Sequence, residues 1–109
     1  MGINAFTKTG NTIAFTANTS APTPVQCVSS TLGGNQYRII NAGTITAFLG
    51  YGTTSGDATN NAVVVSSTSP SFPLLAGTDE ILTFVPNAYF TAITSSGTAT
   101  IYITPGDGL

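Results

Sequence analysis

The chain reads as an all-β protein: an antiparallel β-sandwich of jelly-roll type with eight or nine short strands. An immunoglobulin-like sandwich is the alternative within the same class. Three observations predict this. Apolar and polar residues alternate with a period of two in segment after segment, and none shows the 3.6-residue period of a helix. The alternating segments are rich in β-branched and aromatic residues, which suit a pleated surface. Clusters of Gly, Pro, Asn and Ser punctuate the chain at roughly 8–12-residue intervals, the spacing of short strands.

The elements follow in order. Ile13, Phe15 and Ala17 share one face of the first clear strand. Ser20-Ala21-Pro22-Thr23-Pro24 separates it from a second, on which Val25 and Cys27 share a face. Gly33-Gly34-Asn35 precedes a third, with Tyr37 and Ile39 on one side and Arg38 and Ile40 on the other. Asn41-Ala42-Gly43-Thr44 reads as a hairpin turn with Gly43 at positive φ, leading into Ile45, Ala47 and Leu49. The stretch GTTSGDATNN (52–61) is too polar for a core strand and reads as a long loop, and 62–65 is a short β-branched run. Ser69-Pro70-Ser71-Phe72-Pro73 starts a short extended piece. Beyond Ala76-Gly77-Thr78-Asp79, the residues Ile81, Thr83 and Val85 face away from Leu82 and Phe84. Tyr89, Thr91 and Ile93 follow, and then the cleanest alternation of all, Ala99, Ile101 and Ile103 against Thr100, Tyr102 and Thr104. Residues 11–104 are therefore expected to form the sandwich. Residues 1–10 are expected to be an N-terminal arm and 105–109 a C-terminal tail, both outside it.

Composition narrows the function by exclusion. Two Lys+Arg, four Asp+Glu and no His give a formal net charge of -2, with 6% charged residues; about 25% is usual. Lys8 and Arg38 alone cannot make the basic face that nucleic acid requires. No run approaches the ~20 apolar residues of a membrane-spanning helix. The start of the chain lacks the basic and apolar pattern of a secretory signal, so synthesis in the cytoplasm is expected.

Catalytic and metal chemistry find little support. A single cysteine, Cys27, excludes an intramolecular disulfide and a multi-cysteine zinc site; it reads as a buried structural thiol. The acids Asp57, Asp79, Glu80 and Asp107 read as turn or solvated groups. Asp79 and Glu80 point to opposite sheet faces, whereas a glycosidase needs its pair in one cleft. Asp57 with Asn60 and Asn61 supplies too few carboxylates for a hard cation. A nucleophilic Ser would need a positioned base, and no phosphate-binding glycine loop is present. We therefore expect no enzyme, no cofactor and no metal site.

Surface physics supplies the positive reading. Burying an unpaired charge is costly, and protein interface cores are depleted in charged residues. A hydroxyl-rich, charge-poor exterior is thus suited to being covered by other protein. The tyrosines Tyr37, Tyr51, Tyr89 and Tyr102 could instead form a sugar-binding platform; sheet-face aromatics are the commoner reading. Arg38 could pair with an acid of this chain or of a partner.

The phrases GNQYRIINAGT (34–44), PLLAGTDEIL (73–82) and YFTAITSSGTATIYITPGDGL (89–109) resemble small virion proteins of tailed bacteriophages, notably the decoration or cement proteins of the capsid. The resemblance implies a compact β-fold, often a jelly roll, that clamps neighbouring major capsid proteins and carries no catalytic residues. The expected function is that of a structural protein on the virion surface that binds and stabilises the assembled shell. A glycan- or receptor-binding module of a head or tail fibre is the alternative. The expected partners are the major capsid protein and further copies of the chain, as a dimer or trimer. Expected partner-contacting residues are Ile3, Phe6 and Leu109 on the terminal segments, together with Arg38 and Tyr102.

Overall fold

The computed structural model describes residues 6–28, 35–65 and 67–107. It contains β1 (Thr7–Lys8), β2 (Ile13–Ala17), β3 (Val25–Gln26), β4 (Gln36–Asn41), β5 (Ala47–Gly52), α1 (Ser55–Asn61), β6 (Phe72–Leu74), β7 (Asp79–Thr83), β8 (Tyr89–Ile93) and β9 (Ala99–Asp107). In the first sheet β1 and β2 both lie along one side of β9, with β4 on its other side and β7 beyond. The second sheet runs β3-β8-β5-β6. Every strand pairing is antiparallel.

From β2 onward the chain crosses between the sheets at every step except β5 to β6. The result is the jelly-roll order, β2-β9-β4-β7 packed on β3-β8-β5-β6. An immunoglobulin-like sandwich would keep its first two strands side by side in one sheet. Here β2 and β3 lie in opposite sheets, so that alternative does not describe the chain.

The core is built by alternation. Tyr37 and Ile39 of β4, Ile101 and Ile103 of β9, Leu49 of β5 and Phe90 of β8 are all fully buried in one apolar cluster. Removing such side chains from water contributes about 1.5–3 kcal/mol each. Tyr37 and Phe90 meet edge to face across the two sheets, with ring centroids 4.9 Å apart. The Tyr37 hydroxyl donates to the Val85 carbonyl and accepts from the Ala88 amide, so the buried phenol is satisfied.

Four expectations are corrected. The step from β4 to β5 is no hairpin, since the two strands belong to different sheets. Gly43 is not among the described residues with positive φ, which are Gly77, Asn87 and Gly97. It is needed for close approach instead, because a Cβ there would lie 2.7 Å from the Ala99 Cβ. Second, the polar stretch contains a helix, α1. Thr54 caps it by accepting from the Asp57 amide at 3.1 Å, and Asp57 places negative charge in the first turn. Third, residues 62–65 form no strand; they run beside the sandwich, where the Val63 carbonyl accepts from the Ser71 hydroxyl at 2.6 Å. Fourth, the terminal segments are not wholly outside the sandwich. Thr7 pairs with Asp107 and Lys8 with Gly106, so parts of the expected arm and tail zip together on the first sheet. The remaining residues of both, 1–5 and 108–109, lie outside the described residues.

Candidate interaction surface

The two outer sheet faces differ in what lies on them. On β5 the inward positions are taken by Ala47 and Leu49, which leaves Gly50 and Gly52 facing outward. Helix α1 lies directly on them. A Cβ on Gly50 would collide with the Ala58 carbonyl and the Ala62 amide, and one on Gly52 would sit 2.5 Å from the Asp57 Cβ. Ala58 and Ala62 are buried by this contact. On neighbouring β8 the outward Thr91 is buried too, and its hydroxyl donates to the Pro22 carbonyl at 2.8 Å. The chain thus covers the outer face of its own second sheet.

Among the described residues no helix lies over the outer face of the first sheet; Phe6 covers it at the Gly106 end, and the rows further along β9 and β4 stay open. Register places Ala14, Tyr102, Ile40 and Asp79 in one row across β2, β9, β4 and β7. The next row holds Thr104, Arg38 and Ile81. Tyr102 is 40% exposed and Ile81 39%; Ala14, Arg38 and Asp79 are exposed as well. Thr16 faces Thr100 in a third row. The hydroxyls of Thr12 and Thr104 share a hydrogen bond of 2.7 Å, so part of the polar decoration is paired within the face.

Within these rows the charge is self-compensated. The Arg38 Nη2 donates to the Asp79 Oδ2 at 2.7 Å, with the two side chains 45% and 46% exposed. Of the two partnerships open to Arg38 from the sequence, the one within the chain is the one formed. A face whose ion pair can be desolvated as a unit, among threonines and apolar side chains, is inexpensive to cover compared with one carrying unpaired ions. Lys8 lies beyond this patch, beside Gly106 at the β1 end.

Among the expected partner-contacting residues, Arg38 and Tyr102 are brought together, one register step apart on the same face. Phe6 rests against β9 at the end of that sheet, its ring filling the space that a side chain on Gly106 would take. It is half-buried rather than projecting from an arm. Ile3 and Leu109 lie outside the described residues. Ala14, Ile40, Ile81 and Asp79 also belong to the patch, and the sequence reading did not single them out as contacts. Their outward parity was readable, but their meeting required the β4–β7 and β2–β9 registers.

The other chemistry-bearing groups are dispersed. Tyr37 is buried in the core, Tyr51 stacks edge to face on Phe84 with centroids 4.8 Å apart, and Tyr102 faces out of the opposite sheet. The four tyrosines therefore make no common platform. Among the described residues no three of His, Cys, Asp and Glu come together as a metal-binding group. Burial pushes the Cys27 thiol up to about 12, so it stays protonated at neutral pH. A cleft of about 340 Å³ opens between the β2 and β3 edges, lined by Gly10, Asn11, Ile13, Gln26 and Val28, none of them ionisable. Compared with protein-family models, with curated proteins and with solved structures, the chain finds no match in any of the three.

Proposed function

We propose that this chain is a structural virion protein, a decoration protein that docks on the assembled capsid of a tailed bacteriophage and stabilises it. The observation that carries the reading is the outer face of β2-β9-β4-β7, open among the described residues, rich in threonine and apolar groups, with the Arg38–Asp79 ion pair closed on itself. Interface centres favour such faces, with an exposed aromatic as anchor and few unpaired charges. Tyr102 is that aromatic, and Arg38 beside it belongs to the residue types enriched in contacts. The reading is supported further by the sequence phrases that resemble phage decoration proteins. Its partner is the major capsid protein, its place is the capsid surface, and it carries out no catalysis.

Co-sedimentation with expanded capsids that lack the protein tests this. The wild-type chain pellets with the shells, and Tyr102→Glu, which keeps the fold by circular dichroism, stays in the supernatant. Wild-type protein that remains in the supernatant across salt and pH sinks the reading. Saturable binding on a glycan array, abolished by tyrosine-to-alanine changes, would replace it with the carbohydrate-binding alternative.

A further inference from the structure

Each sheet of the sandwich ends in strands with one unpaired side, and most of these edges are blunted. β3 has two residues. β6 has three, with Pro73 at its centre, which cannot donate. The edge opposite β7 is split between β1 and β2 and carries Lys8. β7 differs: five residues, without Pro, Lys or Arg, in unbroken register with β4 from Asp79 to Thr83.

The ladder shows which groups β7 leaves unused. The Asn41 amide donates to the Thr78 carbonyl at 3.0 Å, and the Phe84 amide donates to the Asn35 carbonyl at 2.8 Å. In an antiparallel pair hydrogen-bonded positions alternate, so Glu80 and Leu82 bond to β4 as well. The N–H and C=O groups of Asp79, Ile81 and Thr83 therefore point away from the sheet, along an edge that pairs with no strand among the described residues.

We propose that β7 pairs antiparallel with β7 of a second copy of this chain, about a twofold axis at Ile81, making one continuous sheet across the dimer. The strand is self-complementary in this register. Ile81 lies opposite Ile81, Asp79 of each copy opposite Thr83 of the other, and these are the positions whose backbone groups are unused; each pair exchanges two main-chain hydrogen bonds. No acid faces an acid. The Asp79 carboxylate is held by Arg38 and meets a threonine, and Glu80 lies opposite Leu82. The two Glu80 side chains sit on a diagonal, about 7–8 Å apart. Registers centred on Asp79 or Glu80 would set like charges directly opposite, which is destabilising. The contact also brings together the two exposed Ile81 side chains. It does not rest on the shell-docking reading, since it uses the edge of the sheet and not its face.

Sedimentation velocity on the purified full chain tests the proposal. The wild type sediments as a dimer, while Ile81→Lys, which sets two ammonium groups against each other at the axis, sediments as a monomer. Ile81→Pro removes an amide that the β4 ladder does not use, and it also gives a monomer. Both variants retain the wild-type far-ultraviolet circular dichroism. Under mild oxidation Ile81→Cys gives a disulfide-linked dimer on a denaturing gel and Thr16→Cys, on another strand, does not; Cys27 is buried and does not interfere. A wild-type chain monomeric up to about 1 mM, a trimer, or a dimer that persists in both Ile81→Lys and Ile81→Pro overturns the proposal.

Discussion

The Nδ2 of Asn41 donates to the main-chain carbonyl of Leu74 at 2.9 Å, tying β4 of one sheet to β6 of the other. The same amide donates to the Ile45 carbonyl at 2.9 Å, and its Oδ1 accepts from the Gly43 amide at 2.9 Å. Asn41 is fully buried, so no water replaces these partners when the side chain is cut back. We predict that Asn41→Ala destabilises the fold by about 2–4 kcal/mol, since it strands two carbonyls and an amide. Urea unfolding measures this as a lower midpoint at unchanged slope. A loss under about 0.5 kcal/mol would show that the corner holds without the amide.

Gly50 makes a second prediction. Its missing side chain lets α1 lie against β5, and a methyl group there meets backbone atoms that cannot rotate away. Gly50→Ala lifts the helix and costs about 1–3 kcal/mol, the range for overpacking. Amide hydrogen exchange in residues 55–61 accelerates in this variant, while exchange in β9 stays slow. Uniform acceleration would contradict the local reading.

Cys27 predicts a response to alkali. The folded thiol holds its proton up to about 12, against an ordinary value of 9.0 in the unfolded chain. Between these values the unfolded chain binds fewer protons than the folded one, so stability falls as pH rises, by about 1.4 kcal/mol per pH unit. Below that window the thiol adds no pH dependence. Tyr37, whose phenol is also pushed up by burial, contributes in the same direction once the unfolded phenol ionises. Unfolding midpoints of wild type and Cys27→Ala, compared across this window, measure the thiol's share as a shallower slope in the variant. Parallel slopes would refute it.

Arg38 separates stability from binding. Its ion pair with Asp79 is nearly half exposed, and such pairs contribute about 0–1 kcal/mol. Arg38→Ala therefore leaves the unfolding midpoint almost unchanged. On the proposed docking of this face to a shell, the substitution leaves the Asp79 carboxylate unpaired under the contact, and shell affinity is expected to drop roughly tenfold or more. Because Arg38 and Asp79 neutralise each other at the centre of the face, the proposed shell binding of the wild type is expected to change little from about 0.1 to 1 M salt. A steep loss of affinity with salt would point to a different, charged surface.

How much of this was legible in the sequence depended on whether the signal was local. Ala99, Ile101 and Ile103 alternate with polar neighbours, and they form the inward face of β9 in the core, but the strand continues through Asp107, where a tail was expected. Helix α1 was missed because its apolar stripe consists only of alanines, Ala58 and Ala62; the one local cue was Thr54 three residues before Asp57. The β-branched run at 62–65 met strand propensity but found no ladder, since β6 already takes the free side of β5. Asn41-Ala42-Gly43-Thr44 had hairpin composition, yet the buried Asn41 side chain and the Gly43–Ala99 approach turn the chain into the other sheet. Of the interaction surface, Arg38 and Tyr102 were identified singly. Asp79 as the partner of Arg38 was beyond reach, because that pair depends on the register of strands some forty positions apart.

The position of β9 has a consequence for how the molecule is made. Among the described residues β1 and β2 pair with β9 and with no other strand, and β4 has β9 along one whole side. Yet β9 comes last in chain order. β4 can pair with β7 beforehand, but β1 and β2 find their partner only in residues 99–107, and closure joins Ile13 to Ile103 across a long loop. A sheet whose pairings span so much of the chain closes slowly, and its unpaired strand edges stay exposed until it does.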